Sequence, residues 1–203
     1  MSKNIYIIRH GQTDYNLAGY YQGCLLNPSL NEYGKKQAEY IKDKLIKHNL
    51  SNIEYIYTSP LRRAYETAKI ISGNNYFVMT SLIEGDFGII EGKTEQEIMK
   101  KYPEDFLKWK DLNNLDFKFQ NGESKKEIGE RILKSVKTCA SNFMSNNTFI
   151  VTHSAAIRCL LLVLGIKEEE IPFNRIYHFE GTNISSSIFS SSNVNTIKFI
   201  ESF

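Results

Sequence analysis

Four side chains suited to binding an anion stand at or just beyond the predicted ends of strands. Arg9 and His10 follow the first strand and His153 a later one, while Arg62 lies in the first helical turn after Pro60. The strands are short apolar runs, which are typical of strands buried on both faces of a sheet. Gly11 is expected to permit the tight backbone turn that the end of the first strand needs. The carboxyl ends of parallel strands meet at one edge of the sheet, where α/β proteins bind their ligands. We therefore expect these arginines and imidazoles to converge in one crevice.

This combination of cations and imidazoles predicts a site for a phosphoryl group. Arginine is suited to two-pronged recognition of phosphate. An imidazole with a free pKa of ~6.5 is partly neutral near pH 7, and it is then a competent nucleophile. Helices that begin beside these strand ends would add N–H groups and a positive dipole end. The sequence thus predicts phosphoryl transfer, with the arginines stabilising charge on the phosphoryl oxygens.

A carboxylic acid is expected near this site, because a leaving alkoxide needs a proton and general acid catalysis contributes ~10²–10⁴-fold. The candidates are Glu84, Asp86 and Glu91. Glu84 is preferred because it lies just beyond a predicted strand. The sequence contains no GxxxxGK[ST], GxSxG or HExxH motif, which disfavours nucleotide-loop, serine-hydrolase and zinc chemistry.

Composition narrows the partners and the compartment. The 203 residues suit one domain, residues 1–203, and the net charge of +2 gives no reason to expect nucleic acid. Three cysteines without a CxxC pair indicate reduced thiols in the cytoplasm rather than a zinc site. No leader is apparent at the amino terminus, and no apolar run approaches the ~18–20 residues of a membrane span. We expect no metal and no cofactor.

Strand and helix patterns alternate along the chain, which predicts βαβ units and a mainly parallel sheet. Strands are predicted after residue 4 and at 53–58, 76–80, 148–152, 184–190 and 196–200. Helices are predicted after an Asn31 cap, from Ser59-Pro60 onward, from 123 or 124 to about 143, and at 155–164. Residues 81–123, with short helices near 95–102 and 104–111, are interpreted as an insertion covering one end of the sheet. A hairpin turn is predicted at 191–193.

Several of these segments together resemble the histidine phosphatase superfamily, the phosphoglycerate mutase-like proteins. The similar segments are Arg9-His10-Gly11-Gln12-Thr13, Asn16, Gln22-Gly23, the run Ser59-Pro60-Leu61-Arg62-Arg63-Ala64, Leu82-Ile83-Glu84 with Phe87-Gly88 and Glu91-Gly92, Gly122-Glu123-Ser124, Val151-Thr152-His153, and Asn183 with Ser185. The resemblance covers nearly the whole chain, and the segments occur in the family's order. The number and order of these segments make the resemblance specific, since any one segment alone would be weak evidence for the family.

The resemblance implies a three-layer α/β/α sandwich, with a small helical insertion over the active-site end, and a metal-independent enzyme. The implied catalytic residues are His10 as nucleophile, Glu84 as proton donor, and Arg9, Arg62 and His153 around the phosphoryl group. The implied substrate-binding residues are Thr13, Asn16, Gln22, Gly23 and Ser154. The expected reaction is hydrolysis of small phosphorylated metabolites through a phosphohistidine.

Departures from the family pattern bear on the substrate rather than on the chemistry. Ser154 stands where glycine is usual, Tyr20 replaces a common arginine, and Ile83 and Ile90 suggest a more apolar mouth. Two alternatives to a phosphatase remain open, a phosphoglycerate mutase and a non-catalytic phospholigand-binding module. A homodimer through a sheet edge is also left open. Arg63 is interpreted as a solvated or structural residue rather than a ligand.

Overall fold

The structure is a computed structural model that describes residues 4–47, 49–50, 53, 55–141, 147–165, 187–190 and 197–199. Within these residues, six strands form one mixed sheet: β1 (Asn4–Arg9), β2 (Ile56–Thr58), β3 (Tyr76–Val78), β4 (Asn147–Thr152), β5 (Ser187–Ser190) and β6 (Ile197–Phe199). Their order across the sheet is β3-β2-β4-β1-β5-β6. β1 to β4 run parallel, while β5 is antiparallel to β1 and β6 to β5. The predicted mainly parallel sheet with an antiparallel edge is confirmed.

Seven α-helices occur in the described part of the chain. They are α1 (Asp14–Leu17), α2 (Glu32–Lys47), α3 (Arg62–Ser72), α4 (Glu95–Lys101), α5 (Pro103–Lys110), α6 (Lys125–Ser141) and α7 (Ser154–Val163). Side chains alternate across a strand, so Tyr6 and Ile8 of β1 pack with α2 and α3. Ile5 and Ile7 pack on the other face with α6, α7 and the insertion. The predicted three-layer sandwich is confirmed.

The strand register brings the chemical groups to one edge of the sheet. Arg9 of β1 lies opposite Thr152 of β4, and Thr58 of β2 lies opposite Val151. The residues that follow these strands therefore lie side by side: His10 after β1, His153 after β4 and Ser59 after β2. The ladder continues there, since the N–H of His10 donates to the Thr152 carbonyl at 3.0 Å. This edge positions the site.

Gly11 serves close packing rather than the turn expected at a strand end. Its φ is not positive, and a Cβ at this position would collide with the backbone of Gly34 in α2. Asn31 caps α2, as predicted, by accepting the Gly34 N–H at 2.8 Å. The Gly11 N–H donates to Thr67 of α3 at 3.0 Å. The segment after His10 is thus fixed between two helices.

The sequence prediction of α3 is wrong in its first turn. The helix begins at Arg62 rather than at Pro60, and its cap residue Leu61 has no side-chain hydrogen bond. The Ser59 hydroxyl instead accepts the N–H of Leu61 at 3.2 Å. β2 and β3 are also shorter than predicted, and residues 80–82 form a 3₁₀ turn in place of the end of β3.

The insertion contains two 3₁₀ turns, at Thr80–Leu82 and Gly88–Ile90, followed by α4 and α5 as predicted. Phe106 and Trp109 join the larger core cluster. Ile90 is 0% exposed in that core, so it does not form the apolar mouth expected from the sequence. The hairpin turn predicted at 191–193 and the family-like residues Asn183 and Ser185 lie outside the described residues. Within those residues, none of the helices has the length and apolarity that crossing a membrane requires.

Candidate active site

His10 is held in the tautomer that a nucleophile requires. Its Nδ1 lies 2.7 Å from the carbonyl oxygen of Gly11, and a carbonyl only accepts, so Nδ1 carries the proton. The lone pair is therefore on Nε2, and the residue lines a cavity of about 570 Å³. Burial, and then the charges of Arg63 and Arg9, lower the pKa of His10 well below 6.5. The imidazole is neutral and nucleophilic at neutral pH.

His153 lies beside His10 and is fully buried. The two ring centres are 5.1 Å apart, and Nε2 of His153 is 2.7 Å from the Ser59 hydroxyl oxygen. The Ser59 hydroxyl, which also accepts the Leu61 N–H, can donate a proton to Nε2 or accept one from it. Nδ1 of His153 is buried with no hydrogen-bond partner in the described part of the chain. One nitrogen of this ring is therefore left for a ligand.

The second arginine of the site is Arg63, and the prediction of Arg62 is wrong. Arg63 is 1% exposed and lines the cavity with Arg9. It donates to the carbonyls of Gly23 and Leu26 at 2.8 Å each, while its buried Nε has no acceptor among the described residues. Burial lowers the pKa of Arg63 to about 10, so the guanidinium still carries its charge at neutral pH.

Arg62 points to the opposite, solvated side of α3. Its side chain is 55% exposed and pairs with Glu66 one helical turn away, at 2.8 Å. It is absent from the residues that line the cavity. The physical reason is helical geometry, because successive residues on a helix point about 100° apart. Arg63 was interpreted as solvated or structural: the first interpretation is wrong for the same reason, while its bonds to the Gly23 and Leu26 carbonyls fit the second.

Glu84 occupies the amino end of α7, where the sequence predicted that an anionic ligand would bind. Its carboxylate accepts the N–H groups of Ala156 at 2.9 Å and of Ala155 at 3.3 Å. Two of the helix-end donors are therefore already used by the protein. Burial raises the pKa of Glu84, although its own hydrogen bonds and Arg63 oppose this shift. A buried carboxyl group with a raised pKa suits a general acid.

An ion pair between Arg131 and Glu123 fixes the segment that carries Glu84. The guanidinium binds both carboxylate oxygens, at 2.9 and 2.7 Å. It also donates to the carbonyls of Ser81, Ile83 and Glu84 at 3.0, 2.9 and 3.3 Å. The same carboxylate accepts the Asp86 N–H at 3.0 Å. Both backbone ends of the Glu84 loop are thereby tied to α6.

Arg131→Met is expected to misplace this acid without removing it. A displacement of about 1 Å can lower the catalytic rate by ~10²-fold, so we expect kcat for an alkyl phosphate to fall by that factor. For p-nitrophenyl phosphate we expect only a several-fold fall in kcat, because its leaving group needs little protonation. The measurement is the ratio of the two kcat values, with Lys134→Met, an exposed change on the same helix, as the control. Equal losses on both esters would indicate a merely structural role.

Four of the five predicted substrate-binding residues line the cavity. They are Asn16, Gln22, Gly23 and Ser154. The side-chain oxygen of Gln22 is buried with no hydrogen-bond partner in the described ranges, as expected where a ligand would complete the site. Tyr20 also lines the cavity, whereas Ile83 does not.

Thr13 does not line the cavity, contrary to the prediction that it binds substrate. It is fully buried and caps α1 through Asn16, whose N–H donates to the Thr13 hydroxyl at 3.2 Å. The Asn16 side-chain oxygen accepts the Thr13 N–H at 3.1 Å in return. This reciprocal cap uses the Asn16 oxygen. Thr13 therefore orients a residue that lines the cavity.

One group of side chains has the spacing of a metal site, but its chemistry does not suit one. Cys24, Asp86 and Glu91 each offer an atom within 4.8 Å of the others. Both Glu91 oxygens already accept N–H groups, from Cys24, Leu25 and Phe87. Burial and neighbouring carboxylates raise the pKa of Cys24 to about 12, and metals require the thiolate. The group stabilises a loop crossing instead.

Sequence reasoning missed part of the cavity wall. Besides Arg63, the missed residues are Gly19, Tyr21, Phe87, Glu95, Trp109, Lys110, Lys125, Ala155, Arg158 and Cys159. Trp109 belongs both to the larger core cluster and to the cavity wall. One signal was available for Lys125. A lysine in the first turn of a helix opposes the helix dipole, and such a residue calls for a reason.

Comparison with known proteins agrees with this geometry. The sequence profile of the histidine phosphatase superfamily (branch 1) matches residues 5–196. Phosphoserine phosphatase 1 of Hydrogenobacter thermophilus is 34% identical over 161 residues, which cover 78% of this chain and 74% of the relative.

Two solved structures share the fold. A mycobacterial glucosyl-3-phosphoglycerate phosphatase complexed with VO3 has a TM-score of 0.79 at 26% identity, covering 99% of this chain and 100% of the other. A phosphoserine phosphatase mutant from Entamoeba histolytica, in complex with phosphoserine, has a TM-score of 0.72 at 27% identity, covering 92% and 90%. The chain belongs to the histidine phosphatase superfamily, branch 1.

Proposed function

We propose that this protein, an enzyme of the phosphatase class, hydrolyses small-molecule phosphate monoesters through a phosphohistidine at His10. The observation that carries the proposal is the Nδ1 hydrogen bond to Gly11, which leaves the Nε2 lone pair in a cavity shared with Arg9 and Arg63. The test is release of inorganic phosphate from p-nitrophenyl phosphate without added metal. Absence of hydrolysis across a panel of phosphorylated metabolites would overturn it.

In the first step the phosphoryl group binds between the two arginines and His10. Nε2 forms a bond to phosphorus while the ester P–O bond breaks. The ring then carries a positive charge, and its Nδ1–H bond to the Gly11 carbonyl stabilises that charge. Arg9 and Arg63 stabilise the phosphoryl oxygens. Nδ1 of His153 has no partner in the described residues, and it supplies a further donor when Nε2 accepts the Ser59 proton.

Glu84 serves both steps as the proton carrier. Its protonated form gives a proton to the leaving alkoxide, so that a neutral alcohol departs. The resulting carboxylate then takes a proton from water as the water oxygen attacks phosphorus. The N–P bond breaks, inorganic phosphate leaves, and both His10 and Glu84 return to their starting forms.

Glu84→Gln is expected to slow alkyl phosphates by ~10²–10⁴-fold and p-nitrophenyl phosphate far less. The acid must be protonated, so kcat/KM should fall as pH rises through the Glu84 pKa, which lies above its usual 4.5. On the acid side kcat/KM should rise with pH through the His10 pKa, below 6.5. The Gln variant should lose only the alkaline limb. Equal losses on both esters would assign the acid elsewhere.

A phosphoglycerate mutase is the second reading of the same phosphohistidine chemistry, in which a second hydroxyl of the substrate replaces water. Conversion of 3-phosphoglycerate to its 2-isomer with bisphosphoglycerate priming would establish it. A non-catalytic phospholigand-binding module is disfavoured, because a nucleophile, two cations and an acid share one cavity.

Several further expectations complete the proposal. The enzyme is inferred to act in the cytoplasm, on the ground that all three cysteines are unpaired thiols. Residues 1–203 are inferred to form one domain with the insertion at about 81–123. The enzyme is inferred to need no metal or cofactor, and no nucleic acid or membrane partner is expected. A homodimer remains a hypothesis that a measurement of mass in solution would test.

A further inference from the structure

The cavity contains more positive charge than one phosphoryl group needs. Arg9 and Arg63 lie with His10 and Glu84, and three further cations line the same cavity: Lys110, Lys125 and Arg158. Lys110 pairs with the Glu95 carboxylate at 3.4 Å, which offsets its charge. Lys125 and Arg158 belong to α6 and α7, on the side where Trp109 of α5 also contributes.

Lys125 is a buried ammonium that forms no ion pair within the described residues. It is 3% exposed, and its Nζ donates to the carbonyls of Asp111 and Asn114 at 3.0 and 2.9 Å. The ammonium also lies 4.8 Å from the centre of the Trp109 ring. An ammonium has three N–H donors, so one is left after the two carbonyls. Buried charges are ordinarily paired.

The surroundings of Lys125 oppose its charge. The residue begins α6, where the positive end of the helix dipole disfavours a cation. Burial lowers the pKa of Lys125 to about 8 and Arg158 adds to that effect, whereas Cys159 and Asp111 oppose it. A methionine would avoid the cost of burying a charge, but it would leave the Asp111 and Asn114 carbonyls without their donor. The two carbonyls leave one N–H of the ammonium for an anion, and Lys125 lines the cavity that an anion can enter.

We propose that Lys125, with Arg158 beside it, binds a second anionic group of the substrate, either a carboxylate or a second phosphate. The preferred substrates are then phosphate monoesters that carry such a group, and Lys125 is the residue that selects them. This inference rests on the proposed function, since the phosphoryl group must occupy the part of the cavity lined by His10 and Arg63.

The experiment measures kcat/KM for substrate pairs that differ in the second anion. One pair is O-phosphoserine and O-phosphoethanolamine, which differ by a carboxylate. The other is fructose 1,6-bisphosphate and fructose 6-phosphate, which differ by a phosphate. A charged hydrogen bond stabilises its partner substantially, so we expect about tenfold or greater preference for the more anionic member of at least one pair. The pair that responds identifies the group.

The matched variants are Lys125→Met and Lys126→Met. Lys126 is the next residue on α6, is 52% exposed in its side chain, and pairs with Asp116 at 3.6 Å on the surface. Lys125→Met should abolish the preference, and circular dichroism should report whether the variant is folded. Lys126→Met should retain the preference. A preference unchanged in Lys125→Met overturns the inference.

A second measurement needs no variant. The groups that face Lys125 are Arg158 and Cys159 of α7 and Asp111 after α5; burial raises the pKa of the Cys159 thiol to about 12, so it stays neutral. The preference for O-phosphoserine should therefore fall as pH rises through about 8, where the Lys125 ammonium loses its proton. Effects of His10 and Glu84 cancel within a pair.

The outcomes separate this inference from the proposed function. Wild-type enzyme that hydrolyses p-nitrophenyl phosphate but shows no preference within either pair, or a preference independent of pH between 7 and 9, overturns the second-anion site alone. Wild-type enzyme that releases no phosphate from any ester overturns the proposed function itself.

Discussion

Replacing His10 with alanine is expected to lower kcat for p-nitrophenyl phosphate by at least ~10³-fold, because loss of a nucleophile removes the covalent route and leaves only binding and charge stabilisation. The wild-type enzyme mixed with ³²P-labelled substrate and quenched should contain an acid-labile, alkali-stable phosphoenzyme. His10→Ala should contain none. His10 lines the cavity, so added imidazole should enter the vacated space and partly restore hydrolysis.

The control for this experiment is the neighbouring imidazole. His153→Ala keeps the nucleophile and its Gly11 hydrogen bond, so a phosphoenzyme should still form, only more slowly. The two variants thus separate the atom that bonds to phosphorus from a group that binds oxygen. A phosphoenzyme in His10→Ala, or its absence in the wild type during turnover, would contradict the proposed mechanism. Circular dichroism of both variants reports whether the fold is retained.

The convergence of distant residues could be predicted because it follows from strand topology. Apolar runs ending in Arg9-His10 and in Thr152-His153 identify two buried strands, and a parallel arrangement brings their carboxyl ends together. β1 and β4 are in fact adjacent and in register from Asn4 to Arg9. Glu84 was found by the same reasoning, since it follows shortly after β3. His10, His153 and Glu84 could thus be predicted without information on long-range packing.

Contacts that bring distant segments against the backbone could not be predicted from the sequence. Gly11 was assigned to a turn because glycine commonly serves that purpose, whereas it is required by the close approach of Gly34. Similarly, α7 was expected to offer its N–H groups to a ligand. Only the three-dimensional arrangement reveals that the Glu84 carboxylate reaches them first.

The choice between two adjacent arginines could have been made from the sequence. Arg62 and Glu66 are four residues apart with opposite charges, a spacing typical of a solvated helix face. Arg63 and Thr67 have the same spacing and adjoin the buried residues Ala64 and Ala68. Periodicity therefore indicates Arg63 as the inward residue. Arg62 was chosen instead for its place in the first helical turn predicted after Pro60. The resemblance did not correct this choice, because a motif with two consecutive arginines does not resolve which one faces the site.

Arg63→Met is accordingly expected to lower kcat/KM by on the order of 10³-fold, because a cation that stabilises phosphoryl charge in a buried site contributes that much. Arg62→Met should stay within about threefold of the wild type, since exposed ion pairs contribute only ~0–1 kcal/mol. The measurement is kcat/KM for p-nitrophenyl phosphate, together with inhibition by inorganic phosphate. Arg63→Met should also lose that inhibition.

Arg63 supports the fold as well, because its side chain donates to the carbonyls of Gly23 and Leu26. Losing both hydrogen bonds should lower the free energy of unfolding by ~1–3 kcal/mol for each carbonyl left buried without a donor. Arg63→Lys separates the two effects, since it keeps a charge but cannot reproduce a planar fork. Low activity at near-native stability in Arg63→Lys would assign Arg63 to phosphate binding. Full activity in that variant, or equal losses in Arg62→Met and Arg63→Met, would contradict the assignment of Arg63 as the second cation of the site.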